Sequence, residues 1–261
     1  MTRENGTVQS IERAFQIMEL MRASDGALGV NDIASNLGLS TTTSHRLLQT
    51  LISVRAVTQN HQTRLYDLNP HMLLFGKAVL NRFNFLSSIH PILGELSKNV
   101  GETVFMGILD DQFDLVYIDQ VDTLDHPLRM TPQIGLRQPA HCTSLGKVLL
   151  ANLPIEKQAT FLSRGSFQKR TDFTITTAQQ LQIELEHVRK VGFALDQEET
   201  ENGICCVSAP LRNAREVIAA ISISGPSSRM KSNGLETSLR EAVCSTAAHI
   251  SQFIQNMDLR G

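Results

Sequence analysis

The sequence predicts an α+β chain of two domains: an N-terminal winged helix-turn-helix, then a sheet with flanking helices. Three observations carry that prediction. Two short helical patterns meet at Gly38-Leu39-Ser40 and are followed by a β-like hairpin. At Gly101 the hydrophobic spacing changes from helical to strand-like. The chain has 261 residues, 41% of them apolar and 19% charged, which is too long for one minimal domain, comfortable for two, and globular in composition.

Taken in order, residues 8–22 place Val8, Ile11, Phe15, Met18 and Met21 at helical spacing, and Ser24-Asp-Gly-Ala breaks the pattern. Val30 to Leu37 forms a short helix with Ile33, Ala34 and Leu37 on one face, capped by Asn31 or Asp32 and ended by Gly38. Ser40 stands where an N-cap belongs, and Thr41 to Ser53 reads as the third helix. Val54 to Leu68 is a hairpin with a polar tip at Gln59-Asn60-His61-Gln62, the wing. Pro70 opens a helical stretch to Phe83, and Pro91 lies near the start of another that reaches Val100. Thr103–Leu109 and Leu115–Val121 read as strands joined at Asp110-Asp111. Ser144–Asn152 and Thr177–Lys190 read as helices, and Ile204–Ala209 and Val217–Ser224 as strands, the last a continuous small-apolar run that Gly225-Pro226 stops. Leu235–Met257 is a long closing helix. The expected divisions are a winged helix over 1–69, a linker helix over 70–85 and a second domain over 86–261.

Charge and cysteines exclude several classes. The net charge of −2 gives no bulk attraction to nucleic acid, so a DNA-binding surface has to be local. The polar start Met1-Thr-Arg-Glu-Asn-Gly predicts no signal peptide, and no apolar run approaches the roughly 18 residues of a membrane span. Cys142, Cys205, Cys206 and Cys244 form no CxxC pair and have no zinc-spaced histidines, which predicts no metal, no disulfide framework and a cytoplasmic protein with reduced thiols. Nothing in the sequence calls for a cofactor.

Projecting Thr41–Ser53 at about 100° per residue puts Ser44, Leu47, Leu48, Leu51 and Ile52 on one side, with Thr42, Arg46 and Gln49 opposite and Thr43 and His45 on the flanks. Short polar donors and an arginine suit phosphates and base edges of a major groove. From Ile33 to Tyr66 the chain has Arg46, Arg55 and Arg64 and no Asp or Glu, a local basic patch in a neutral protein. On spacing alone the same face could be the solvated side of a small three-helix domain.

These residues resemble the isocitrate-lyase-regulator (IclR) family of bacterial transcription factors. The stretches that carry the resemblance are Ser10-Ile-Glu-Arg-Ala14, Leu37-Gly-Leu-Ser40, Thr43-Ser-His-Arg-Leu-Leu48, Tyr66-Asp-Leu68, Gly101-Glu-Thr103, Pro139-Ala-His141, Ser144-Leu-Gly-Lys147, Gly192-Phe-Ala-Leu-Asp-Gln-Glu-Glu199 and Ala219-Ala-Ile-Ser-Ile-Ser-Gly-Pro226. Their order and spacing cover nearly the whole chain. The resemblance implies a winged helix, a linker helix and a GAF-like α/β effector-binding domain. It also implies a homodimer or homotetramer, double-stranded operator DNA as partner, and a small carboxylate effector. The polar helix face and the wing place the expected DNA contacts on Ser40, Thr41, Thr42, Thr43, His45, Arg46 and Arg64. Two departures stand out: Thr41-Thr42 replace a common lysine and serine, and Ala56 stands where a glycine usually precedes the wing.

The second domain is similar to that of the family's glyoxylate-responsive allantoin regulator. That similarity implies effector contacts at Ser144, Leu145, Asp196, Cys206, Ser222 and Ser224, with Leu145 bulkier than expected. The residues add their own argument. Free N–H groups at a helix start over Ser144–Gly146 attract an anion. Ser222 and Ser224 share one face of a strand, either as satisfied core hydroxyls or as a polar floor for a ligand. Cys206 reads equally as a small buried hydrophobe, and Glu198, Glu199 and Glu201 as a solvated acidic turn around Asp196.

An enzyme is the rival class, a thiol-dependent enzyme of small-acid metabolism using Cys142 at a helix start. Adjacent residues on an extended chain point opposite ways, so His141 is poorly placed as its base and no enzyme is expected. A ligand-independent architectural DNA binder is the third class, and the size of the second domain argues against it.

Overall fold

In the computed structural model, which describes residues 8–83, 85–122 and 134–258, contacts divide the chain into two units, Met1–Phe83 and Asn84–Gly261. The first holds α1 (Gln9–Ala23), α2 (Val30–Leu37), α3 (Thr41–Ser53), β1 (Val57–Gln59), β2 (Tyr66–Leu68) and α4 (Met72–Leu80). Gly38 ends α2 with φ 62°, a left-handed turn that glycine makes without steric cost, and its N–H returns to the Ala34 and Ser35 carbonyls. Two residues on, the Ser40 hydroxyl accepts the Thr43 N–H at 3.1 Å and starts α3. The start of α2 differs from the expectation. Gly29 is its N-cap, and Asp32 reaches back from the third helical position to accept the Gly29 N–H at 3.1 Å. Asn31 lies beside α3 instead and accepts from the Thr41 hydroxyl.

Ile17, Met21, Ile33, Leu48, Leu51, Val57 and Tyr66 form the core of this unit. Val8, Ile11 and Phe15, read as part of the apolar face of α1, are exposed, and Ile17 takes up the inward position. In the wing β1 and β2 pair antiparallel, Val57 opposite Leu68 and Gln59 opposite Tyr66. At its tip Asn60 Oδ1 accepts the N–H groups of Gln62 and Thr63. The turn out of α3 does not need glycine at Ala56. Arg55 adopts the left-handed conformation, φ 60°, while Ala56 is buried and sends its N–H to the Leu51 carbonyl.

The second unit runs α5 (Leu86–Val100), β3 (Thr103–Leu109), β4 (Asp114–Val121), β5 (Arg137–Pro139), α6 (Ser144–Ala151), α7 (Ile155–Leu162), α8 (Ala178–Val191), β6 (Ala194–Gln197), β7 (Ile204–Arg212), β8 (Val217–Pro226), α9 (Ser227–Ser232) and α10 (Ser238–Asp258). Its six strands form one antiparallel sheet in the order β5-β4-β3-β8-β7-β6. α6 and α8 cover the face carrying Phe105, Leu115, Ala194 and Ala220. By strand alternation Val104, Met106, Ile221 and Ile223 point to the other face, and α5 and α10, which touch each other, pack on these strands. The Asp110-Asp111 turn is built as read, with Asp110 Oδ1 accepting the N–H groups of Gln112 and Asp114 at 2.9 Å. β5, α7, β6 and α9 have no counterpart in the sequence reading. β8 continues through Gly225-Pro226, because Gly225 still pairs with Cys205 and Pro226 with Ile204 on β7.

Candidate functional site

On α3, Ser44, Leu48 and Leu51 are buried while Thr41, Thr42, His45, Arg46 and Gln49 are exposed, the division that helical projection predicts. Ser40 and Thr43 are committed to the cap, their hydroxyls 2.8 Å apart, so their donors serve the helix first. Arg64 is exposed at the wing with φ 61°, and its carbonyl accepts from the Gln59 side chain at 3.0 Å. Among the described residues the side chains of Thr42, His45 and Arg46 are the free polar groups at this end of the face, while the Thr41 hydroxyl donates to Asn31.

In the second unit the sheet register gathers the other candidates. Asp196 on β6 pairs with Cys206 on β7, which pairs with Ser224 on β8. One step along, Ser208 pairs with Ser222, which pairs with Phe105 on β3. Side chains of paired residues rise on the same face, so Asp196, Cys206, Ser222 and Ser224, drawn from three strands, form one polar patch. The patch floors a cavity of about 550 Å³ that Ser144, Leu145, Thr143 and Thr200 also line. Phe105 and Tyr117, ring centroids 5.3 Å apart, form an aromatic wall, with Leu136 and Gln138 nearby. Glu201, Asn202, Gly203 and Ile204 complete the rim.

The hydroxyls of Ser222 and Ser224 lie 3.3 Å apart and line the cavity while bonding one another. Ser144 accepts from the Ser208 hydroxyl at 2.6 Å, which fixes its side chain to the sheet. Thr143 caps α6 by accepting the Gly146 N–H at 3.1 Å, leaving the Ser144 and Leu145 N–H groups with no acceptor among the described residues. Gly146, expected among the anion-holding residues, therefore lies outside the lining with its N–H already used. Its Cα faces Ala140 so closely that a Cβ would overlap the Ala140 backbone.

Asp196 is not in a turn. It sits on β6, 2% exposed, and its Oδ1 accepts the Glu199 N–H at 2.8 Å. The Thr200 hydroxyl lies 2.8 Å from both Asp196 Oδ2 and the Cys142 carbonyl. Burial outweighs these hydrogen bonds and raises the Asp196 pKa. Burial, with Asp196 nearby, likewise pushes the Cys206 thiol well above its usual value. The acidic run that follows is only partly solvated. Glu198 pairs with Lys231 at 2.8 Å and Glu201 is exposed, but Glu199 is buried against Lys147.

A thiol nucleophile finds no support in this geometry. Cys142 is buried, and burial raises its pKa to about 11, the opposite of activation at a helix start. His141 is turned to the Gln168 carbonyl, 3.0 Å from Nε2, and stacks on Phe167. Among the described residues no group of three or more His, Cys, Asp or Glu side chains could hold a metal ion, and no helix is long and apolar enough to cross a membrane. The sequence reading missed Thr200, Tyr117 and Phe105. The pairing of Phe105 with Ser222 is the signal that places it, and it becomes visible once the register is known.

The model of the IclR helix-turn-helix domain matches residues 10–61, and that of the bacterial transcriptional regulator IclR C-terminal domain matches residues 77–252. The transcriptional repressor IclR of Escherichia coli is 35% identical over 227 residues, covering 86% of this chain and 82% of that protein. The crystal structure of Thermotoga maritima IclR, 28% identical, superposes with a TM-score of 0.74 over 95% of this chain and 99% of that one. An IclR homologue of Microbacterium hydrocarbonoxydans complexed with 4-hydroxybenzoate shares the fold, with a TM-score of 0.79 over 95% of this chain and 99% of that one at 17% identity.

Proposed function

Because this chain belongs to the IclR family of bacterial transcriptional regulators, with a helix-turn-helix DNA-binding domain and an effector-binding C-terminal domain, we propose that a small carboxylate-bearing metabolite seated on the Asp196–Cys206–Ser224 row controls its operator binding. One observation carries this reading: that row lines the same cavity of about 550 Å³ as Ser144 and Leu145, whose N–H groups have no acceptor among the described residues. The N–H groups hold the acid. Ser222, Ser224 and Cys206 line the floor, and Asp196 accepts a hydrogen bond from a ligand hydroxyl or hydrated carbonyl. The Microbacterium homologue's ligand, 4-hydroxybenzoate, carries an acid and a hydroxyl, the two groups this arrangement would take.

At the head, Thr42, Thr43, His45 and Arg46 face a major groove and Arg64 a phosphate. Arg46→Ala costs about 1–3 kcal/mol if it grips a base. Two heads on a two-fold site require a dimer or tetramer. In support, α4 has no buried residue, with Leu73 74% exposed and Leu74, Phe75 and Val79 also outside. A monomer by light scattering, free and on DNA, defeats that part.

The test of the switch is a DNA titration with and without small carboxylates, 4-hydroxybenzoate among them. Asp196→Ala and Ser222→Ala should bind operator as the parent does and lose the response, a coupling of roughly 1–3 kcal/mol or about 5–150-fold. Parent-like response in both puts the pocket elsewhere. Loss of DNA binding in both makes these residues structural.

A further inference from the structure

Lys147 sits on α6 just past the two free N–H groups but does not line the effector cavity. Its side chain is 2% exposed, and its ammonium donates to Glu199 Oε1 at 2.6 Å and Glu184 Oε1 at 3.0 Å. Burial alone would pull that ammonium's pKa down, but the two carboxylates outweigh it. Glu199 in turn belongs to the segment that holds Asp196, through its own N–H and the neighbouring Thr200. From the other side, the Thr171 and Thr174 hydroxyls donate to the Glu198 and Glu199 carbonyls at 2.6 and 2.7 Å. One buried ion pair therefore ties together the two segments that build the cavity, the start of α6 and residues 196–200.

The pair is not balanced. Glu199 is 7% exposed, and its second oxygen, Oε2, is buried with no hydrogen-bond partner among the described residues. The charged and titratable groups around it are Lys147 of α6, Glu184 and His187 of α8, Asp196 of β6, Glu236 ahead of α10, and the Cys142 thiol. One lysine thus faces several carboxylates. We propose that Lys147 and Glu199 position the effector cavity, and that Glu199 takes up a proton when an anion binds there, so that acidification strengthens the effector's hold. This rests on the carboxylate reading above. The physical reason is direct. An anion added beside Asp196 raises the cost of a second buried charge at Glu199, and a proton on Oε2 removes that charge. Burial, opposed by Lys147, leaves the Glu199 pKa at about 7, where the proton is available near neutrality.

Two arms test this on the full chain and its Glu199→Gln variant, which keeps an acceptor for Lys147 and removes the charge. The first needs no ligand. A carboxyl whose folded-state pKa lies above its unfolded value contributes stability below the unfolded pKa and loses it as pH rises through the folded one. The parent's melting temperature should therefore fall relative to the variant's as pH rises from about 4.5 to about 7, and run parallel to it above that. Profiles parallel throughout overturn the titration of Glu199. The second arm is calorimetry with 4-hydroxybenzoate and glyoxylate at pH 6 and 8. If binding raises the Glu199 pKa by about one unit, the parent's affinity falls about fivefold from pH 6 to 8, whereas the variant keeps the parent's pH 6 affinity at both. A slope retained in the variant, or absent from the parent, overturns the coupling alone. No binding of either probe at either pH overturns the carboxylate reading and the coupling with it. Should the variant not fold, parent titrations at pH 7 in two buffers of different ionisation enthalpy read proton uptake directly, and zero uptake overturns the proposal.

Discussion

Replacing Arg229 with methionine should destabilise the C-terminal unit by about 2–4 kcal/mol. The magnitude comes from the carboxylate left behind. Glu102 is 1% exposed, and the Arg229 guanidinium meets it with both arms, Nε to Oε1 at 2.7 Å and Nη2 to Oε2 at 2.8 Å. Gly225 packs so closely on that carboxylate that a Cβ there would collide with it, so Glu102 cannot swing aside on that flank. Breaking a buried pair from one side typically costs about 3–5 kcal/mol. The Arg229 side chain is 26% exposed, so water screens part of the interaction and the lower figure applies. Methionine refills the aliphatic volume, which isolates the charge effect. A domain of this size loses roughly 2–4 °C per kcal/mol, so calorimetric melting should fall by about 5–15 °C. The double variant with Glu102→Gln should recover most of that loss. An Arg229→Met protein melting within about 2 °C of the parent, or a double variant no more stable than the single, would refute the argument.

Three more outcomes follow from named contacts. Gly146→Ala should cost about 1–3 kcal/mol and abolish the effector response while sparing operator binding, because the new methyl strikes the Ala140 backbone; parent-like melting would contradict it. Ser44→Ala should be neutral or stabilising by up to about 1 kcal/mol, since the buried Ser44 hydroxyl has no partner among the described residues; a larger loss on denaturant titration would reveal one. Cys142, with its pKa raised to about 11, should react with a thiol reagent at pH 8 only as fast as the domain opens; rapid modification of the folded protein would defeat this.

Features encoded locally were the legible ones. Gly38, Ser40 and the Asp110 turn each act through a bond spanning four residues or fewer, and the run Val217–Ser224 is apolar enough to mark its own strand. β5 and β6 are three and four residues long and owe their existence to β4 and β7, so Arg-Gln-Pro and Ala-Leu-Asp-Gln carry no period of their own. Asp196 was misread as part of a turn for that reason: the acidic residues after it are visible in the sequence, and its partner Cys206 lies across the sheet. Glu199 and Lys147 are 52 positions apart, and nothing in either neighbourhood announces the pair. The cavity residues carried over by resemblance line the cavity, apart from Gly146, which the notion of a bare helix start had added.

The cross-strand row has a consequence for how such a binding pocket changes over time. Asp196, Cys206 and Ser224 stand on separate strands whose backbones pair with one another, so each can be exchanged alone without moving the other two. New ligand preferences are then reachable by single codon changes. Length changes are a different matter. One residue inserted in the short Asn213–Glu216 turn between β7 and β8, with the pairing carried along, would rotate β8 by half a turn and present Ile221 and Ile223 where Ser222 and Ser224 now stand. The polar floor would become a greasy one in a single step, and two hydroxyls would be driven into the opposite core. Substitutions would thus alter the pocket one group at a time, whereas a change in that hairpin's length would alter its whole floor.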